Sequence, residues 1–133
     1  MLAALWWGGI TALAFVAVPV VFATATELAE AGRIAARIFV AQSFWSVALA
    51  ALIWVVSLLD ALTAGRRIAW ALWAVAALAL ANHYAVSPVI VSARASGADL
   101  ALWHGIGSAL VATQWLIAGW VNWRLSSRQS VFS

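Results

Sequence analysis

His83 and His104 are the only histidines of a chain that has no cysteine and a single methionine, and both lie inside long apolar stretches. An imidazole there can ligate haem iron or copper, carry a proton, or hydrogen-bond a neighbouring helix. In hydrocarbon an ionisable side chain is costly enough to mark function by default. Axial ligation of one iron by both histidines needs them at matching depth on facing helices. Counted from a turn near Ser96, the two differ in depth by about 8 Å at 1.5 Å per residue. One iron shared within a single chain is therefore disfavoured, and a haem b or copper reading requires two separate sites or ligation across a dimer. Copper would also lack soft ligands, since only Met1 carries sulfur.

Other chemistry is thinner still. Glu27, Glu30, Asp60 and Asp99 all fall in polar connections, away from either histidine, so a hydrolytic zinc centre has no carboxylate to use. No serine, histidine and acid stand at a nucleophilic spacing. Neither a catalytic residue nor a metal centre is expected, and the chain reads as a non-enzyme. The plain expectation for the histidines is packing: His83 bonded to Ser43, Gln42 or a carbonyl freed by Pro88, and His104 bonded to Ser108 or to the first connection. Gln42, Ser87, Arg37 and Arg94 complete a polar cluster around them. A small transport pathway lined by Gln42, Ser87 and the two histidines is a further reading, weakened by the lack of a buried acid.

The elements that must position these residues are visible in the hydropathy. Apolar residues make up 67% of the chain against 8% charged, and runs of about 20 apolar residues can cross a bilayer as helices. Four such runs occur, over 2–23, 34–59, 68–92 and 100–122, and they imply an all-α, left-handed four-helix transmembrane bundle forming one domain. Ala23-Thr24-Ala25 has the look of a processing site. The first run nevertheless has no preceding Lys or Arg and is long for a signal sequence, so it is read as a membrane helix.

An even number of spans puts both termini on one side. That side carries Arg66, Arg67, Arg124 and Arg128, and the other carries Arg33, Arg37 and Arg94, which favours cytoplasmic termini in a bacterial inner membrane. Trp6, Trp7, Trp70, Trp73, Trp120 and Trp123 should mark one interface. The formal charge of +3 comes from arginines scattered over both faces. Membrane lipids account for it, and no nucleic-acid partner is expected.

Small and polar residues recur on helical faces. His104, Gly107, Ser108, Val111, Ala118 and Asn122 share a sector of the fourth run, and Ala76, Ala79, His83, Ser87 and Arg94 share one of the third. Both stripes are expected to face the bundle interior. Gly8 and Gly9, with Ala12 and Leu13, are expected to offer a lipid-facing surface for a partner helix. Pro19 and Pro88 should kink their helices. In the first connection, Thr24 and Glu27 are spaced as a capping box, Gly32 can end a short helical turn, and Glu30 can pair with Arg33 or Arg37.

Trp6/Trp7-Gly8-Gly9, Pro19 with Phe22, Ala31-Gly32-Arg33 leading to Phe39, Tyr84 with Pro88, and Trp103-His104-Gly105 follow one another in an order that resembles the transmembrane-protein-205-like family. The resemblance covers nearly the whole chain and implies a small four-helix membrane protein without an established activity. It departs on the last helix, where the family often has an aromatic before the histidine and an asparagine beyond it. This chain has Leu100 and, on that helix, no asparagine before Asn122. The Trp-Gly-Gly opening with its Pro-x-x-Phe is also similar to membrane proteins that handle copper or haem through intramembrane histidines. The expected role is a non-catalytic accessory or structural subunit of a larger membrane complex, or a homo-oligomer, with other membrane subunits or itself as partner.

Overall fold

The computed structural model describes residues 1–59, 65–97 and 99–129, side chains at 29, 59, 93–96, 128 and 129 excepted. Its regular elements are all helical and form four rods. The first is α1 (Leu2–Ala12), a π-helical turn over Leu13–Ala17, and α2 (Val18–Thr24). The second is α3 (Leu28–Leu59). The third is α4 (Arg66–Ala81), a π-helical turn over Asn82–Val86, and α5 (Ser87–Ser96), and the fourth is α6 (Leu100–Gln129). Each rod is long and apolar enough to cross a membrane. The chain is an all-α, four-helix membrane bundle.

The rods outrun the apolar runs because hydropathy marks the bilayer, whereas a helix ends only where its backbone bonding is broken. α3 begins at Leu28, so Gly32 and Arg33 lie inside it rather than in a separate turn. The capping box does not form: Thr24 Oγ1 donates to the Val20 carbonyl of its own helix, and the Glu27 carbonyl accepts the Glu30 and Ala31 amides. Glu30 makes no ion pair with Arg33 or Arg37, both of which are exposed. At the third connection Gly97 closes α5 with φ +70°, a left-handed conformation that glycine adopts without steric cost, and Asp99 Oδ1 accepts the Leu102 amide at the start of α6. Asp60 lies outside the described residues.

Each proline is preceded by a π-helical turn. Val18 and Ser87, the residues before Pro19 and Pro88, donate their amides five residues back, to Leu13 and Asn82. The extra residue widens the backbone ahead of a ring that would otherwise collide with the carbonyl four residues earlier. Ser87 Oγ adds a second donor to the Asn82 carbonyl at 2.9 Å.

The rods form a closed ring in which the first and third each lie between the second and fourth. Buried positions repeat at alternating four- and three-residue spacing: Ile68, Leu72, Val75, Ala79, Asn82 and Val86 on the third rod, and Val111, Gln114, Ala118 and Val121 on α6. Such spacing keeps one face of each helix turned to the interior. The apolar core occupies the half of the bundle that holds both termini. There Trp6, Ile10, Ile53, Leu72, Val75, Ala118 and Val121 pack together.

Glycines let two seams close tightly. A Cβ built on Gly9 would stand 2.8 Å from Trp45 Nε1, and one on Gly119 would stand 3.0 Å from Trp7 Nε1. Gly9 is therefore part of the internal α1–α3 seam and not of a lipid-facing surface, whereas Gly8 is exposed. Trp45 is 39% exposed and can shift slightly. Gly9→Ala should accordingly be tolerated, while Gly9→Leu should overfill the seam and cost about 1–3 kcal/mol, read as a lower unfolding midpoint in detergent.

Candidate functional site in the polar half of the bundle

Above the apolar core the interior changes character. Gln42, Ser43, Ser46, Asn82 and Gln114 are all buried, and none exceeds 5% exposure. They come from three rods: α3 supplies Gln42, Ser43 and Ser46, the second π turn supplies Asn82, and α6 supplies Gln114. The third rod lies between α3 and α6, and at this level Asn82 lies toward α6 and His83 toward α3.

Contacts between aromatic rings fix the register. The Phe44 and His83 rings lie 5.2 Å apart and the Trp54 and Trp73 rings 5.5 Å apart, and both pairs give one antiparallel alignment of α3 with the third rod. In that alignment Ser46 stands opposite Ala81 and Gln42 opposite Ala85. On α6, a Cβ at Gly107 would lie 3.4 Å from Val86, 3.5 Å from Asn82 Oδ1 and 3.8 Å from Ile90. Two turns further along, Gln114 comes level with Ala79. Ser46, Asn82 and Gln114 thus fall within about one helical turn, roughly 5.4 Å, of a common depth.

Several of these groups have no partner among the described residues. Gln42 Oε1, Ser46 Oγ, His83 Nδ1 and both amide atoms of Gln114 are buried without a hydrogen bond, as is Trp6 Nε1 in the apolar half. Ser43 Oγ donates to the Phe39 carbonyl of its own helix at 2.9 Å. The expected bonds from His83 to Ser43, Gln42 or a freed carbonyl are therefore not made through Nδ1. The His83 ring is instead half-buried between Phe44 and Tyr84, with its centroid 4.5 Å from that of Tyr84. Each unpartnered buried polar group costs about 1–3 kcal/mol, and hydrocarbon offers no relief.

Other expected members are placed elsewhere. His104 is exposed on the outer face of α6, as is Ser108, and Trp103 is the half-buried residue at that level. The inward sector of α6 carries Gly107, Val111, Gln114 and Ala118, so the stripe assigned from 100° per residue holds only in part. His83 and His104 do not face one another across the interior. Arg37 is exposed at the end of the bundle, Ser87 is half-buried and engaged with Asn82, and the Arg94 side chain lies outside those described. Among the described residues no three His, Cys, Asp or Glu gather as metal ligands.

The buried layer adds Asn82, Ser46 and Gln114 to the residues expected from the sequence. The signal that finds Asn82 and Gln114 is the alternating four- and three-residue repeat, which lands on both. The tryptophans also divide. Trp70, Trp73 and Trp123 are exposed and Trp120 half-buried, as expected at an interface, but Trp6 is fully buried. Trp7 is half-buried against Trp115, 5.9 Å between centroids, and Trp115 Nε1 donates to Thr11 Oγ1 at 2.8 Å, sewing α1 to α6.

No curated protein and no solved structure matches the chain. A family model does match residues 1–99, the first three rods and the turn that follows them, and the chain accordingly belongs to the family that this model defines, DUF4149, a domain of unknown function.

Proposed function

We propose that this protein is a non-catalytic membrane component that works by helix–helix contact in the bilayer, as an accessory subunit of a larger complex or as a homo-oligomer. The division among its glycines carries the reading. Gly9, Gly107 and Gly119 each support a close internal contact, whereas a Cβ at Gly8 or Gly105 would meet nothing within 4 Å. Gly32 and Gly97 are equally open but lie at the ends of their rods, whereas Gly8 and Gly105 sit in exposed runs of small residues, Ala4-Gly8-Ala12 on α1 and Ala101-Gly105-Ser108-Ala112 on α6. In lipid, association relies on close packing and hydrogen bonds, which small residues permit. His104 borders the second run and adds a polar side chain on the same outward face. The resemblance to the transmembrane-protein-205-like family agrees with a small bundle of this kind.

The test is co-purification and cross-linking from native membranes. Gly8→Leu and Gly105→Leu should remove the partner species, a second copy or another subunit, by about tenfold while the bundle keeps its unfolding midpoint. Recovery of the unsubstituted protein as a lone monomer, with every complex intact on deletion, would sink the proposal.

A second reading, a ligand- or cofactor-binding membrane protein, is favoured by the unpartnered Gln42, Ser46, His83 and Gln114. His83 is the one histidine near that layer, and haem b or copper shared with His104 would need a second chain. Absorption spectra of oxidised and reduced protein from native membranes decide this: a Soret band lost in His83→Ala supports it, and a featureless, metal-free spectrum removes the haem and copper forms.

A further inference from the structure

The end of the bundle that holds the termini has cations without described counter-charges. Glu27, Glu30 and Asp99 all lie at the opposite end, the one that also carries Arg33 and Arg37, and the fourth acid, Asp60, lies outside the described residues. Two adjoining niches, of about 360 and 270 Å³, open here and share Arg66. The first is walled by Trp70 and Trp73, the second by Arg67, Trp120 and Arg124. Arg124 comes from α6 and is held over Trp120 and Trp123, 5.8 and 6.0 Å from their ring centroids. Arg66 and Arg67 open α4, so guanidinium groups from two rods converge on one place.

The backbone points the same way. Gly65 caps α4 without a side-chain hydrogen bond, and no acid stands in the first turn. The positive end of the helix dipole therefore adds to the three arginines. Exposed tryptophans on both helices place the niche at the boundary between headgroups and acyl chains. A phosphodiester fits this setting: a single negative charge with oxygens for the planar arginine fork, on a molecule whose tails can lie along the apolar flanks of α4 and α6.

We propose that Arg66, Arg67 and Arg124, with Trp73 and Trp120, form a binding site for the phosphate of an anionic glycerophospholipid. The site is independent of the partner-helix surfaces. Its specificity comes from the meeting of two helices, which a diffuse positive surface lacks.

The experiment measures binding of phosphatidylglycerol and phosphatidylcholine to the full chain in mild detergent, by native mass spectrometry. Phosphatidylglycerol should bind at least tenfold more tightly. Arg66→Gln/Arg124→Gln should abolish that preference, whereas Arg33→Gln/Arg37→Gln, which removes the same charge at the other end, should change it less than twofold. Millimolar inorganic phosphate or glycerol phosphate should not compete. Equal loss in both double variants, equal binding of the two lipids, or full competition by free phosphate would each overturn the assignment. Should the first double variant fail to fold, phenylglyoxal modification of the unsubstituted protein replaces it: phosphatidylglycerol should protect Arg66 and Arg124 and leave Arg33 reactive, and uniform protection overturns the site.

Discussion

Trp6→Ala should lower the stability of the bundle by about 3–5 kcal/mol, while Trp6→Phe should cost roughly 1 kcal/mol or less. Trp6 has no exposed surface and packs with Ile10, Ile53, Leu72 and Val121 in the apolar half. Truncation there opens a cavity bounded by several rods. In lipid the loss arises from missing van der Waals contacts more than from water, because the unfolded reference is also surrounded by hydrocarbon. The phenyl ring keeps most of those contacts. It also deletes Nε1, which has no acceptor, so no hydrogen bond is lost. Unfolding titrations in mixed detergent measure both variants. If Trp6→Phe were as damaging as Trp6→Ala, the indole N–H would have a partner after all and the packing account would be wrong.

Gln114→Leu is expected to do the opposite and stabilise the bundle by about 1–3 kcal/mol, read as a higher unfolding midpoint. Gln114 is 1% exposed, and both its amide oxygen and its nitrogen lack partners among the described residues. Leucine is close in volume and brings no group that needs desolvating, so its substitution relieves the burial cost without opening a cavity. A residue that weakens its own fold and yet sits on the interior repeat is a candidate for selection by function. Loss of stability in Gln114→Leu would show that the amide is satisfied in the membrane, which would tie the polar layer to something bound there. A gain in stability accompanied by loss of partner assembly would connect the layer to the contact function instead.

The two substitutions sit in the two halves of one interior. Near the termini the bundle is closed by apolar side chains and tight glycine seams. Toward the first and third connections it holds amides, hydroxyls and an imidazole, next to π turns that precede both prolines. Single π turns frequently accompany functional sites because they present side chains that a regular helix would turn away. Here the turn over Asn82–Val86 contains both Asn82 and His83.

The four-helix membrane architecture was legible because it depends on local quantities. Apolar runs of spanning length need no knowledge of neighbours, and Gly97 identifies its turn through a backbone preference of its own. The helix ends were less legible, since charged residues such as Glu30, Arg33 and Arg37 can extend a helix into the headgroup region without interrupting its hydrogen bonding. Prolines announced a disturbance at Pro19 and Pro88. Their sequence gave no means of choosing a π turn over a simple kink.

What the chain alone determined, then, is that four helices cross a membrane and that polar residues are confined to particular stretches of them. Which of those residues meet was decided by tertiary structure. A single ideal helix repeats every 3.6 residues, and that period turned His104 and Ser108 inward. The same period, about 100° per residue, sets Gln114 roughly 20° from Gly107 on the other flank and Asn82 roughly 40° from Val86, so it admits them equally. Which flank is buried depends on where the neighbouring helices lie, and only the tertiary structure decides that: α6 turns Gln114 and Trp103 toward the bundle and leaves Ser108 and His104 exposed.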